Sequence, residues 1–412
     1  MTLNNAGIPV EVSRRPLEDI TDSLHDLLAA QKQHSPLAFS RDIYQTFLPS
    51  AKELQSLDVT SSSVPVMAVK VTVFEPGTVL GVVMLHGVGD AQSMLNFMVH
   101  WAAEYRGVPR QQIVRPDYSM DVCDSCPADM DRIFENEYKI LPVMSVKPSA
   151  ESMKSKGQNG LNKSSAISTP DTPPPDKDAA ASHACVIPVT KTTLTAWKFA
   201  AKQELLPGTF VSSDDILTAH VWRTMCRIRC AKLGIPTNSS DQTTMIRAIN
   251  LRSKVSPPLA PGFFGNSSLP TWTVLSVQQL LAMSPVQVAL HLRSALQAWT
   301  TDRLSAHLKW ISEHQKRQSI IVPKVKANCF TFMISSWNFS SVSWESVDFD
   351  CRPFSFHQDM VGQLPHASFP LGVMTSRPGK DGFNVATSGP EDDMEEFMTL
   401  MTSQMYPGYT EE

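Results

Sequence analysis

The alternation of apolar and polar residues changes period most sharply around position 86. Val79, Leu80, Val82, Val83, Met84 and Leu85 form a nearly unbroken apolar run with β-branched members, the pattern of a strand buried on both faces. Beyond it, Met94, Phe97, Met98, Trp101, Ala102 and Tyr105 recur at helical spacing and predict an amphipathic helix that stops at Arg106, Gly107 and Pro109. His86, Gly87, Val88, Gly89 and Asp90 stand at the junction, where two glycines permit a backbone that other residues resist and leave open space around the imidazole. Upstream, Val66, Val69, Val71, Val73 and Phe74 read as a strand. Glu75-Pro76-Gly77-Thr78 reads as the turn that pairs it with the strand before His86.

Elsewhere the pattern predicts a helix over Leu17 to Leu28 and an apolar patch from Ile43 to Leu48, while Arg110 to Pro148 is mixed and rich in aspartate. From Lys147 to His183 large apolar residues nearly vanish among Ser164, Ser165, Thr169, Pro170, Pro173, Pro174 and Pro175. Such a stretch cannot bury enough surface to order itself and reads as a crossover linker. The chain divides into an N-terminal domain, 1–147, a linker, 148–185, and a C-terminal domain, 186–412. The second domain opens with a strand, Val186 to Val189, and a helix near Leu194 to Leu205. Ser212 and Asp215 then form a capping box ahead of a helix carrying Leu217, Val221, Met225 and Ile228. A strand over Ile246 to Leu251 follows, then helices at Val277 to Leu281 and Val286 to His314, the latter broken, and a strand from Cys329 to Trp337. Leu371 to Ser376 and Phe383 to Thr387 form a hairpin around Pro378-Gly379. A last helix after Pro390 carries Met394, Phe397, Met398, Met401 and Met405 on one face, a core stripe and not a cofactor box.

At 412 residues the chain exceeds one ordinary core, in keeping with two domains. A formal net charge of -4 gives no global pull toward nucleic acid or an anionic membrane. No apolar run approaches the roughly 18 residues of a membrane span. The amino terminus, with Asn4, Asn5, Glu11, Arg14 and Arg15, lacks a signal-peptide core, so the expectation is a cytoplasmic soluble protein; a monomer is expected as well. Seven cysteines without framework spacing suit a reducing compartment. Cys123 and Cys126 make a CxxC with no second pair and no zinc-spaced histidine close by, so no metal is expected. Cys226 and Cys230, four apart on a helix, read as packing residues.

Candidate chemistry centres on the junction. A neutral imidazole can accept a proton near pH 7 as a general base, and an aspartate four positions on can fix the loop without touching substrate. The bland reading of the same residues is a turn histidine with a capping aspartate. No glycine-rich phosphate loop, serine nucleophile elbow or internal repeat competes with them.

Four blocks, in order, resemble the plant and fungal BAHD acyltransferases of the trichothecene acetyltransferase-like and hydroxycinnamoyl transferase-like kinds, which move an acyl group from a coenzyme A thioester to an alcohol or amine. Val79 to Gly107, containing LHGVGD, is similar to the catalytic block of that family, and Ser212 to Arg229, SSDDILTAHVWRTMCRIR, to its S-x-D-x-L-x-A-x-x-W helix. Arg247 to Asn266, RAINLRSKVSPPLAPGFFGN, resembles the DGRSR…PPLPPGYFGN segment, and Ser336-Trp337 through Pro353 falls where the SW…DFGWG block belongs. The departures are a short lead before His86, which suggests that a strand and a helix are missing, Ala91 for the glycine after the motif aspartate, and Asn250 for a common aspartate. DFGWG survives only as Asp348-Phe349, followed by Asp350-Cys351-Arg352-Pro353.

The resemblance implies an α/β fold of two chloramphenicol-acetyltransferase-like domains, each a mixed β-sheet flanked by helices, with a channel between them. His86 would be the general base at its centre, with no acyl-enzyme, and Asp90 would orient the loop through a salt bridge. Asp348 and Phe349 would be structural. Arg252, Lys254 and Asn266 stand open between coenzyme A contact and domain packing. Trp337 and Phe339 are placed at the acceptor pocket, where acid-accepting members carry an arginine at the Phe339 position; a phenyl ring there implies a neutral acceptor. Acyl-CoA would be a co-substrate, with no permanently bound cofactor, and the partner a small alcohol or amine. Three alternatives stand beside this. A carrier-dependent condensation enzyme typically has a second histidine where Leu85 stands, and a dihydrolipoyl acyltransferase has its motif near the chain end. The third is a non-catalytic binding protein on the same fold, favoured by the short lead and the eroded block.

Overall fold

The structure, a computed structural model, describes residues 8, 10–14, 29, 35–40, 42–49, 65–74, 77–108, 130–142, 183–260, 262–314, 319–323, 330–339, 342–351, 371–377 and 381–405. The described strands are β1 (Val10–Arg14), β2 (Leu37–Ser40), β3 (Met67–Phe74), β4 (Gly77–Met84), β5 (Tyr138–Pro142), β6 (His183–Thr190), β7 (Gln242–Asn250), β8 (Ser268–Ser276), β9 (Ser319–Pro323), β10 (Phe330–Trp337), β11 (Leu371–Ser376) and β12 (Gly382–Gly389). The described helices are α1 (Asp42–Phe47), α2 (Ala91–Tyr105), α3 (Met130–Glu137), α4 (Lys191–Glu204), α5 (Ser213–Leu233), α6 (Val277–Ala282), α7 (Pro285–Gln297), α8 (Thr301–His314) and α9 (Glu391–Met405).

A seven-stranded mixed sheet runs in the order β2-β6-β12-β11-β10-β7-β8, with β10 parallel to both its neighbours and the other pairs antiparallel. Alternation sends one set of side chains toward helices: Ile187, Met245, Phe332, Ile334, Met374 and Val385 pack with Leu217, Trp222, Met225 and Ile228 of α5 and with Met394, Phe397 and Met401 of α9. Trp222 fixes that packing by donating its indole N–H to Thr243 Oγ1 at 2.9 Å. Helix α5 forms as its sequence dictates, from the reciprocal Ser212–Asp215 capping box to Gly234, whose φ of 63° closes the last turn. Its first turn is locked by buried charge. Arg247 bonds Asp214 and, at 2.9 Å, Asp215, which also holds Arg293.

The opposite face of this sheet receives a three-stranded sheet, β1-β3-β4, through two apolar clusters. Phe39, Ile43, Phe47, Phe74 and Val79 meet Ala184, Val186 and Ala386 in one, and Leu80, Val82, Leu95, Met98 and Ala102 meet Trp337, Trp344 and Val373 in the other. Gly81 permits the first contact, because a Cβ there would stand 1.9 Å from the Phe47 carbonyl oxygen.

The β3–β4 hairpin, the broken helix pair α7 and α8, the β11–β12 hairpin and the methionine-faced α9 match expectation. Strand β4 does not: it is the edge of its sheet, and Val79, Leu80, Val82 and Val83 are only half-buried. The linker ends earlier than expected, since β6 starts at His183 and not Val186, and pairing crosses the expected domain boundary twice, β2 with β6 and β5 with β9. The apolar pattern misses β8, a strand interrupted by Pro270 that lies at the sheet edge. The helix over Leu17 to Leu28, the Cys123–Cys126 pair and the linker proper lie outside the described residues. Among the described residues no helix is long and apolar enough to cross a membrane.

Candidate active site

The backbone N–H of Leu85 bonds back to Val66 O at 3.0 Å, fixing where the chain leaves the hairpin, and Val88 N–H closes a turn onto Leu85 O at 2.9 Å. His86 rides this turn, exposed. Nothing lies within 4 Å of the point a Gly87 Cβ would occupy, so space beside the imidazole is open, whereas a Cβ on Gly89 would stand 2.8 Å from Met84 Cε and 3.0 Å from Ser93 Cβ. Neither glycine has a positive φ. Both serve the site through room, not through an unusual backbone.

Asp90 caps α2, its Oδ1 accepting the Ser93 N–H at 3.0 Å. The same carboxylate takes two N–H groups of Arg252, at 2.8 and 2.9 Å, and the Ser267 N–H at 2.9 Å. Asp90 is 6% exposed and Arg252 7%. Ser93 Oγ donates to Gly265 O at 2.8 Å and accepts from Gly265 N–H and Arg252 Nη2, both at 3.0 Å. Burial alone would raise the Asp90 pKa. The hydrogen bonds and charge of Arg252, with the Ser267 and Ser93 N–H donors, overcome that and hold the carboxyl below its ordinary range. None of these bonds reaches His86. The aspartate therefore acts on the loop, tying the start of α2 to the 252–267 segment.

Asn266 holds the imidazole itself. Its Nδ2 lies 3.2 Å from His86 Nδ1, while its Oδ1 accepts the Ser268 N–H at 3.3 Å and hydroxyl at 2.9 Å. In this orientation the amide donates to Nδ1, and a neutral ring carries its proton on Nε2. Asn250 joins from the adjacent strand end, donating to Gln92 Oε1 at 2.6 Å and accepting the Arg252 N–H at 3.1 Å.

Of the residues singled out from the sequence, His86, Asp90, Arg252 and Asn266 come together here. The Arg252 guanidinium is buried, paired with Asp90 and lying over the Phe263 ring. Lys254 is half-buried, its N–H turned back to Leu251 O. Trp337 is 7% exposed, stacks on Trp344 and donates its indole N–H to Ser335 Oγ. Phe339 packs half-buried against the same cluster. Ser93, Gly265, Ser267 and Gln92 were not anticipated.

Residues 37–403 match the sequence model of the family described as the Transferase family. The chain belongs to that family, the BAHD acyltransferases. Curated BAHD relatives include a shikimate O-hydroxycinnamoyltransferase of Nicotiana tabacum, 24% identical over 280 residues, which are 67% of this chain and 57% of that protein. Another is a trichothecene 3-O-acetyltransferase of Saccharomyces cerevisiae, 28% identical over 37% of this chain and 31% of the relative. The chain thus spans little more than half the length of the tobacco enzyme. Its fold matches that of F. graminearum TRI101 complexed with ethyl coenzyme A, with a TM-score of 0.64 at 17% identity over 94% of this chain and 78% of the other. Vinorine synthase gives 0.52 at 19% over 87% and 70%.

The eroded BAHD block sits at the far end of α2. Asp348 accepts from Arg106 Nη1 at 2.9 Å, and Phe349 packs edge-on to Trp101 and Tyr105 with ring centroids 5.3 and 5.7 Å away. Asp350, where the BAHD pattern has glycine, holds a φ of 59°.

Proposed function

We propose that this chain is an acyl-CoA-dependent acyltransferase in which His86 removes the proton from an acceptor hydroxyl or amine as that atom attacks the thioester carbonyl. The carrying observation is an exposed imidazole on a turn whose flanks are immobilised by the buried Asp90–Arg252 pair. Nucleophile and thioester react directly: the acceptor oxygen or nitrogen bonds to the acyl carbon, the C–S bond breaks, and His86 returns its proton to the coenzyme A thiolate. For Nε2 to act as base, the remaining ring proton must sit on Nδ1. A half-turn of the Asn266 amide permits this, bringing Oδ1 to Nδ1–H at the cost of the 3.3 Å bond from Ser268 N–H, while the Ser268 hydroxyl can serve either end of the amide.

General-base help is worth roughly 10² to 10⁴ in rate. His86→Ala should lower thioester cleavage by at least a hundredfold in a panel of acyl-CoAs and mixed acceptors, with unchanged melting. A variant as active as wild type would remove the assignment. A silent wild-type panel with measurable coenzyme A binding would instead point to a binding protein. The acceptor we propose is neutral and largely apolar, because Phe339 offers no cation to a carboxylate and an unpaired buried charge costs several kcal/mol, roughly. Matched acceptors decide this: a higher kcat/KM for the free acid than for its methyl ester would refute it.

A further inference from the structure

Two neutral side chains stand beside the buried ion pair and take no part in the proton transfer. Gln92, in the first turn of α2, is 3% exposed and accepts the Asn250 Nδ2–H at 2.6 Å across 158 positions of sequence. Asn250 ends β7 and is exposed. It bonds in two directions at once: its Oδ1 accepts the Arg252 N–H at 3.1 Å and the Arg252 Nη1–H at 3.4 Å, and the same Nη1 donates to Asp90 Oδ2 at 2.8 Å. Across the β7–β8 ladder Asn250 pairs with Ser268, whose N–H and hydroxyl both donate to Asn266 Oδ1. Cross-strand partners keep their Cβ atoms within about 5.5 Å of each other. A line of contacts therefore runs from Gln92 through Asn250 and Ser268 to Asn266, which holds His86 Nδ1.

His86 and Asn266 lie 180 positions apart, so the geometry between them depends on how the start of α2 sits on the 250–268 segment. Arg252, Asp90, Ser93 and Gly265 fix that seating in one knot of hydrogen bonds. A helix anchored at one place can still turn about it. The Gln92–Asn250 bond adds a second anchor further along the first turn of α2 and opposes that rotation. Burial makes this anchor specific, because a sealed amide that loses its partner costs more than the bond itself returns.

We propose that Gln92 and Asn250 are a positioning pair that keeps His86 and Asn266 aligned for proton transfer. This role rests on the acyltransferase reading, and both residues act through Asn266 and not on substrate. The test is Gln92→Met in the full chain, because methionine suits a buried helical position and leaves Asn250 to the solvent it already meets. With an acyl-CoA and acceptor that the wild type uses, kcat should fall by roughly tenfold or more while KM for both substrates and the melting temperature hold. Asn250→Ala should slow the reaction likewise, and the double variant should be no slower than the slower single one, as for two residues acting through one bond. Should Gln92→Met lose stability, Asn250→Ala decides by the same criterion. Wild-type kcat in the variants, a loss confined to KM, or losses that multiply in the double variant would overturn the proposal. His86→Ala separates the two readings: full activity there removes the base itself, whereas a slow His86→Ala beside a fully active Gln92→Met removes only the pair. If the wild type transfers no acyl group, the imidazole nitrogen resonances of His86 carry the test; they should move in Gln92→Met, and unmoved resonances would refute the pair.

Discussion

The two ends of α2 are tied to the rest of the molecule by the same chemistry and to different effect. At the N-terminal end, Arg252 grips Asp90 in a buried, bidentate pair whose remaining lone pairs are taken by backbone N–H groups. At the C-terminal end, Arg106 reaches Asp348 through a single 2.9 Å bond between side chains about a third exposed. The first end carries His86 and keeps the Asp90–Arg252 pair, with Ala91 and Asn250 as its departures from the family pattern. The second carries no proposed chemistry, and there the block has lost its glycines while retaining the ion pair and the Phe349 packing. A reacting group must be held to fractions of an ångström, whereas a packing contact tolerates substitution around it.

The largest effect that could break this contrast comes from cutting each pair in turn. Removing one partner of a buried ion pair strands the other charge and costs about 3–5 kcal/mol, while an exposed pair is worth about 0–1 kcal/mol. Arg252→Ala should therefore unfold at markedly lower denaturant and lose activity, and Arg106→Ala should change both little. Equal losses in the two variants would mean that the ends do the same job.

Acid unfolding sharpens the contrast by separating the clamp from another buried titrating group. The folded pKa of Asp90 lies below its unfolded value near 3.9, so its contribution is present above that pH and is lost as pH falls through the folded value. His220 acts earlier. Burial lowers its pKa to about 4, partly opposed by the 2.8 Å bond to Gln404, so the unfolded chain binds the proton first and stability declines as pH falls from about 6.5 to about 4. At about 1.4 kcal/mol per pH unit this is a loss on the order of 3 kcal/mol. In His220→Gln the decline between these values should shrink, leaving the share of His307, whose pKa burial also lowers, and the loss below pH ~4. A single unchanged acid limb would show that neither window is assigned correctly.

The site was legible where one residue type has one job. The Ser212–Asp215 box, the methionine face of α9 and the change of period at His86 each follow from local spacing, and each stands in the structure. Asp90 was legible twice, as the capping residue of the bland reading and as the salt-bridge partner of the functional one, and it is both at once. What local spacing hides is long-range. That Arg252 lies 162 positions from its partner, or that Ser93 meets Gly265 from 172 positions away, depends on how two sheets pack. The expectation that β4 is buried on both faces failed for the same reason, because an apolar run reports affinity for a core and not its place within a sheet.

The smallest predicted effect concerns Asp350, at the eroded end. A φ of 59° puts an L-residue in the left-handed region, where the Cβ meets the following carbonyl at a cost of about 1–2 kcal/mol, less for aspartate, whose short side chain adapts to it. The turn is held from outside by Phe349 N–H on Cys351 O at 3.2 Å and by Phe349 between Trp101 and Tyr105, so the strain cannot relax. Asp350→Gly removes the clash but gives the unfolded chain more freedom, an opposing cost of about 0.5–1 kcal/mol. The net should be a stabilisation of about 0–1 kcal/mol with no change in acyl transfer, read from denaturant midpoints and initial rates. A glycine variant clearly less stable than wild type would show that the Asp350 carboxylate makes a contact of its own. The C-terminal end of α2 would then be a replaced clamp and not a worn one.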